Sequence, residues 1–313
     1  MPKRIKANLN LTIKPNNAPI AWQTFCDTHP PFSIALDGYV REAPKFSRKG
    51  PWANFNHHED VDRLATRSTC AQILIAIRQG LFDCFQENNT PIAHVFVNDC
   101  DEDVCLSWYL IKNFFLIEQE IPAPISKLVI IEDLLDATAG AYPFKIRPSE
   151  LQNIEWIFDP YRRFRLNGGL ENKRVDEYQD ILNKIERRIK RYLNGKGGKV
   201  VLDTRYKKIG GSEEWVLLEE IGAHGRTGAY MDGVRAYVAV RPKSKNHWVY
   251  TIGRMSPFVP FHIGKIIRHL NKIEGNKEDL WGGANTIGGS PRVNGSKIPP
   301  KDLEKLINDI IKD

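Results

Sequence analysis

His94-Val95-Phe96-Val97-Asn98-Asp99-Cys100-Asp101-Glu102-Asp103 is the stretch on which the fold turns. Four apolar or aromatic-flanked positions in a row, then an abrupt polar end, read as a buried strand over His94–Asn98. Asp103 to Phe115 then reads as a helix, with acidic residues at its start, where the helix dipole favours them. A strand that ends in polar residues and feeds a helix is the repeating unit of a parallel sheet. Working upstream, Phe32 to Leu36 is a second strand-like run, stopped by Asp37-Gly38. Residues 41–53 read as a loop rich in Pro, Lys and Gly, and Asn54 to His58 follows it. Leu64, Ile73, Leu74, Ile77 and Leu81 fit one helical face over Arg63–Leu81. Residues 1–30, broken by Pro15, Pro19, Pro30 and Pro31, read as irregular.

Downstream, Ile125 to Ala139 reads as a helix with Asp133 and Asp136 three apart on one face. These two are weighed as surface or capping residues first, and as a reserve of ligands second. Leu170 to Leu193 reads as one long amphipathic helix whose basic end, Arg187 to Arg191, suits a solvated face. It runs into Asn194-Gly195-Lys196-Gly197-Gly198, the clearest linker in the chain. Beyond it, Lys199–Asp203, Glu214–Glu219, Val234–Val240 and Trp248–Ile252 read as strands, and Ile263–Ile273 and Asp302–Ile311 as helices. The expected architecture is α/β: a mostly parallel sheet with flanking helices over residues 1–198, and a smaller α+β domain over 199–313. The length of 313 residues suits two domains.

The chain carries a net charge of +7, which favours polyanionic partners. Its start is basic with no apolar segment behind it, and no run approaches the roughly 20 apolar residues of a spanning helix. The five cysteines, all within the first 105 residues, match neither a disulfide framework nor a zinc knuckle. A cytoplasmic protein with no membrane partner is expected.

Open parallel sheets gather ligands at the carboxyl ends of their strands. Three polar clusters fall there: Asp37; Asn56-His57-His58-Glu59; and Asn98 to Asp103. Carboxylates mixed with imidazoles suit Mn²⁺, Fe²⁺ or Zn²⁺, and carboxylates alone lean toward Mg²⁺. The plainer alternatives are an ordinary His-His pair at a strand end and a solvated acidic helix start. Cys100 and Cys105 read as small buried residues. His224-Gly225-Arg226-Thr227-Gly228 reads equally as a plain turn or as an anion-binding loop.

Asn56-His57-His58 resembles the Asp-His-His motif of the DHH superfamily of phosphoesterases, and Asp37 stands about twenty residues before it, where that family keeps a lone Asp. Thr66 to Cys70 resembles the Ser/Thr-bearing helix that follows the motif, and Asp101-Glu102-Asp103 with Ser107 its Asp-x-Asp-x-x-x-Ser motif. In the second half, Ile252-Gly253-Arg254-Met255-Ser256 resembles the Ser-x-Arg-Ser strand of the family's substrate-binding domain. Trp281 to Asn285 with Ile287 to Ser290 resembles its glycine-rich loop. Three departures stand out. Asn56 replaces an Asp. The Asp-x-Asp segment comes after the His-His motif, either through a rewired sheet or because Asp99–Asp103 answers to the family's late single Asp and the opening motif is missing. The glycine-rich loop lacks the family's His, with Asn285 standing nearest.

The resemblance implies a catalytic set of His57, His58 and Asp101. It implies a metal set of Asp37, His57, Asp99, Asp101 and Asp103, with Mn²⁺ ahead of Mg²⁺, Fe²⁺ or Zn²⁺. His58 would hold a phosphate. Arg226, Arg254, Gly282, Gly283, Asn285, Gly288, Gly289 and Arg292 complete the expected substrate contacts. The expected activity is hydrolysis of a phosphoester or phosphoanhydride bond in a nucleotide or short oligonucleotide. The alternative is a degenerate relative that binds nucleotide or nucleic acid without cleaving it. Partners are then a phosphorylated small molecule or short nucleic acid, with a second copy of the chain as an option.

Overall fold

The computed structural model describes residues 6–138, 140 and 148–312. Residues 1–5, the basic start, and Ala139 lie outside them. The chain separates into two compact units, one made of the described residues up to Ala137 together with 148–200, the other of Thr138 and Gly140 together with the described residues from Val201 onward.

In the first unit β1 (Asn8–Ile13) is followed by α1 (Trp22–Thr28), β2 (Ser33–Leu36), β3 (Lys45–Ser47) and β4 (Trp52–Phe55). After these come α2 (Thr69–Arg78), α3 (Leu81–Cys84), the short β5 (Gln86–Glu87) and β6 (Thr90–Val97). The helices α4 (Glu102–Lys112), α5 (Phe114–Gln119), α6 (Ala123–Ala137), α7 (Pro148–Leu166), α8 (Gly169–Asn172) and α9 (Val175–Leu193) complete it. The sheet runs β1-β6-β2-β4-β3. The first four strands are parallel, β3 lies antiparallel on β4, and β5 pairs antiparallel with β6. Six of the eight β6 side chains are buried, as a central strand covered on both faces requires.

Several expectations differ from this. The described residues of the 1–30 stretch are not irregular throughout: β1 alternates Leu9, Leu11 and Ile13 with polar neighbours and pairs along β6 from Asn8↔Ile92 to Ile13↔Val97. The 41–53 loop contains β3 and the start of β4. The helix expected from Arg63 begins only at Thr69, and the one expected over Asp103–Phe115 breaks at Asn113. The long helix from Leu170 is interrupted at Lys173, whose φ is +52°. Its main part, α9, buries Tyr178, Ile181, Leu182, Ile185 and Ile189 on one stripe, with acidic residues in its first turn and basic ones in its last. Trp156 of α7 lies under both Arg188 and Arg191 of α9, so part of the basic helix end is packed rather than solvated.

The second unit contains β7 (Tyr206–Gly211), β8 (Val216–Glu220), α10 (Gly225–Met231), β9 (Ala236–Ser244) and β10 (His247–Arg254). It continues with α11 (Ile263–Glu274), β11 (Gly282–Gly283), β12 (Ile287–Gly289) and α12 (Pro300–Lys312). Its sheet runs β11-β12-β10-β9-β8-β7, with β8 and β9 parallel and the other pairs antiparallel. Alternation along the strands feeds two cores. Val238, Val240, Tyr250 and Ile252 pack with α11 and α12 on one face. Leu218, Tyr237 and Ala239 pack with Tyr230 of α10 on the other. Lys199–Asp203, expected as a strand, forms none. Among the described residues no helix is long and apolar enough to cross a membrane, and the five cysteines are free thiols.

Candidate metal centre

Three parallel strands end side by side and deliver the first ligands. β2 stops at Leu36, and the next residue, Asp37, still donates its amide to Phe55 O of β4 at 2.9 Å. Its φ of +49° and the +82° of Gly38 fold the chain sharply away. Asp is one of the few side-chain-bearing residues that tolerate this left-handed region. β4 stops at Phe55, and Asn56 Oδ1 accepts the amides of both His57 (2.8 Å) and His58 (3.1 Å). The Asn56 Nδ2 group donates to Glu42 O (3.0 Å) and Glu59 Oε2 (2.7 Å). A carboxylate cannot donate, so the amide is the chemically fitting group at this turn. β6 leads through Asp101, which caps α4 by accepting Val104 N at 2.9 Å, and Asp103 lies in the first turn of that helix.

The fourth ligand comes from α6. His57 Nε2 lies 2.7 Å from Asp136 Oδ2, 3.5 Å from Asp37 Oδ1 and 3.9 Å from Asp103 Oδ2. The His57 side chain is fully buried, and neither ring nitrogen has a hydrogen-bond partner of acceptable geometry. The nearest oxygen is close but off the nitrogen's axis. His58 is partly open to solvent and its Nε2 sits 2.9 Å from Asp37 Oδ1, to which Thr69 Oγ1 also donates at 3.1 Å. Asp103 accepts Thr69 N and Cys70 N at 2.6 Å each, and Asp133 accepts Ser68 N at 2.6 Å, so two carboxylates close the N-terminus of α2.

The electrostatics describe a crowded acidic cavity. Burial works to raise the Asp37 carboxyl, but the close contact to His58 and the charge of the two nearby imidazoles outweigh it and hold it well below the usual range. Burial likewise works against a charged His57, yet the close Asp136 and Asp37 carboxylates push its pKa up to about 10. Asp103 goes the other way: burial, then the charges of Asp136 and Asp37, drive its pKa well above normal. Several carboxylates thus share one imidazole, and the cluster favours an added positive charge.

Two overlapping groups of ligand atoms, Asp37-His57-His58 and His57-Asp103-Asp136, each lie within 4.8 Å. Donors each about 2.1 Å from one ion stand roughly 3–4 Å apart, so these separations fit divalent coordination. The orphaned nitrogen of His57 among three carboxylates is the strongest sign of fit: buried polar atoms in native proteins nearly always have a partner. These Asp and His groups can therefore hold a divalent metal.

Of the expected metal set, Asp37, His57 and Asp103 converge, with His58 on the rim. Asp99 and Asp101 do not join them. Asp99 accepts the Tyr161 hydroxyl (2.7 Å) and the Cys100 amide (2.7 Å), and Asp101 is spent as a helix cap. Their reasons differ: Asp101 is the N-cap of α4, while Asp99 is held by Tyr161 and Cys100 before that helix begins, and neither falls in the two groups of converging ligand atoms. Asp136, weighed above as a surface residue, is a member of the centre. Arg63 is a second residue the sequence did not single out; it donates to Asp136 O (3.2 Å) and Asp136 Oδ1 (3.3 Å) from beside the cluster. The spacing of Asp133 and Asp136 on one helix face was the signal for Asp136; for Arg63 the sequence held none.

The expected substrate contacts of the second unit divide. Arg254 is buried and donates to Asn285 O (2.6 Å), Pro257 O (3.2 Å) and Val259 O (3.0 Å), so it fastens two loops and is not free for substrate. Arg226 lies at the start of α10, not in an open loop, and its Nε donates to Glu220 at 2.6 Å. Gly282 and Gly283 pair with Gly289 and Gly288 in the edge hairpin, and Asn285 lies exposed at its turn. Arg292 is exposed.

Comparison with protein-family models gives no match for this chain, and comparison with curated proteins gives none either.

Proposed function

We propose that the first unit is a metal-dependent hydrolase of phosphoester or phosphoanhydride bonds, acting on a nucleotide or short oligonucleotide. The observation that carries this reading is His57: a buried imidazole whose Nε2 lacks a hydrogen-bond partner while Asp37, Asp103 and Asp136 surround it. The order of Asp37, His57-His58 and the following Thr69-bearing helix agrees with the resemblance to DHH phosphoesterases. A bound divalent ion, with Mn²⁺ preferred by the mixed imidazole and carboxylate donors, would polarise a phosphoryl oxygen and activate water.

The chain's own residues supply the rest. Asp37, His57, Asp103 and Asp136 hold the ion. Asn56 fixes the backbone of both histidines. His58, partly exposed and held by Asp37, meets a phosphate oxygen through its second nitrogen. Arg63, whose Nε has no partner, adds a second cationic contact at the edge. The test is metal analysis of the purified protein, followed by a nucleotide and oligonucleotide panel with Mn²⁺. Turnover that disappears in His57→Ala supports the reading; absence of metal and of turnover in the unaltered protein removes it.

One observation favours the second reading, a relative that binds without cleaving. Both oxygens of Asp103 already accept backbone amides of α2. If that carboxylate serves only the helix, metal affinity falls while the fold persists. Asp103→Asn separates the two: loss of metal with little change in melting temperature assigns Asp103 to the ion.

A further inference from the structure

Five of the chain's seven net positive charges reside in residues 201–313, which hold 18 Lys and Arg against 13 Asp and Glu. Their distribution is uneven. Residues 233–273 contain eight Lys and Arg and no Asp or Glu, although the chain's own frequency of 38 acids in 313 would place about five there. Residues 280–301 are also free of acid. These two stretches supply β9, β10, β11 and β12, which are neighbours in the sheet. Two separate segments of sequence thus bring together strands that carry no carboxylate of their own.

A groove of about 420 Å³ lies in that region, lined by Arg241, Lys243 and Arg292 with Pro242, Val249 and Ser290 among its walls. Among the described residues neither the Arg241 nor the Arg292 side chain has a hydrogen bond or ion pair. Lys243 is the extra residue of a β-bulge opposite His247 and Trp248, and bulges re-aim side chains. Its ammonium donates to Arg292 O (2.8 Å) and Val293 O (2.6 Å), which fixes the loop that carries Arg292. The nearest acid, Asp279, grips the other side of that loop through the amides of Val293 (3.3 Å) and Asn294 (2.7 Å). The groove is therefore built and held, and its two guanidiniums face solvent without counter-charge.

We infer that this groove binds the phosphate backbone of a single-stranded nucleic acid. Guanidinium forks match phosphate oxygens, and unpaired like charges held together are relieved by a polyanion. The walls between the cations are short and apolar, which suits the sugar edge of a strand. A strand with unpaired bases can lay successive phosphates on the two guanidiniums with its sugars against Pro242 and Val249. The inference rests on the proposed phosphoesterase reading only for its biological sense, since it narrows the substrate to an oligonucleotide.

The test is fluorescence anisotropy of a labelled twelve-nucleotide thymidine strand, with EDTA present so that no cleavage occurs. The unaltered protein is expected to bind with an affinity that falls as salt rises, by a log-log slope of about −0.7 per phosphate contacted. Arg241→Glu with Arg292→Glu is expected to weaken binding at least tenfold. Lys301→Glu with Lys305→Glu, an equal charge change at exposed positions of α12, should alter it less than twofold. Absence of binding by the unaltered protein overturns the inference, as does an equal loss in the two double variants. So does retention by phosphatidylserine vesicles that depends on Arg241 and Arg292 while oligonucleotide binding does not. Because metal is chelated throughout, a protein that fails to hydrolyse anything can still pass, and a hydrolase can still fail.

Discussion

Asn56 carries more of the site than its uncharged amide suggests. It accepts two consecutive backbone amides and donates to Glu42 O and Glu59, all while fully buried. Restoring the Asp that the DHH motif would have here should therefore harm this protein. Asn56→Asp removes both donors and sets a second carboxylate against Glu59, and a buried unmet acceptor of this kind costs about 2 kcal/mol or more. Urea denaturation of the first unit's signal is the measurement, and an unchanged midpoint would contradict the role given to the amide. At the ion itself, Asp136→Asn is expected to lower Mn²⁺ affinity by at least about tenfold, the lower end of what outer partners of metal ligands achieve. Isothermal titration reads it directly, and equal affinity would return Asp136 to the surface role that its spacing first suggested.

At the scale of elements, what the sequence discloses depends on where each element finds its partners. β2, β6, α4 and α9 were legible because their apolar periodicity is local. The start of α2 was only half legible: Ser68 caps it locally, but Asp103 and Asp133, more than thirty residues away, take the amides of Ser68, Thr69 and Cys70. β1 is a short edge strand whose alternation of Leu9, Leu11 and Ile13 was overshadowed by the prolines that follow it, which made the whole segment read as irregular. Val200-Val201-Leu202 is apolar enough for a strand but has no neighbour to pair with. Asp37, His57, His58 and Asp103 could be named from their strand ends; Asp136 could not, because only the folding of α6 over the sheet brings it in. Arg254 shows the opposite failure. An arginine beside glycines reads alike whether it meets phosphate or carbonyl oxygens, and here it meets three carbonyls. Arg254→Leu should accordingly destabilise the second unit by about 3 kcal/mol, since three acceptors lose their charged donor together. A chemical melt followed by the tryptophan emission of that unit checks this, and a loss confined to ligand binding would refute it.

For the molecule as a whole, two compact units with separate cores imply that a single unfolding free energy is not defined. Calorimetry is expected to resolve two transitions. Mn²⁺ at a hundred times its dissociation constant should stabilise the first unit by about 2.7 kcal/mol and leave the other transition in place. A metal that moves both transitions equally, or neither, would speak against a site confined to the first unit. The two sheets also differ in how they end. In the second, β7 presents Lys207 and Lys208 with a register break before Gly210, and the opposite margin is only Gly282 and Gly283. Neither margin offers the long, flat, uncharged row of amides on which a stray strand could add. Self-association through this sheet is thereby discouraged at both ends. A dimer, if the protein forms one, is not expected to be built on the margins of this second sheet.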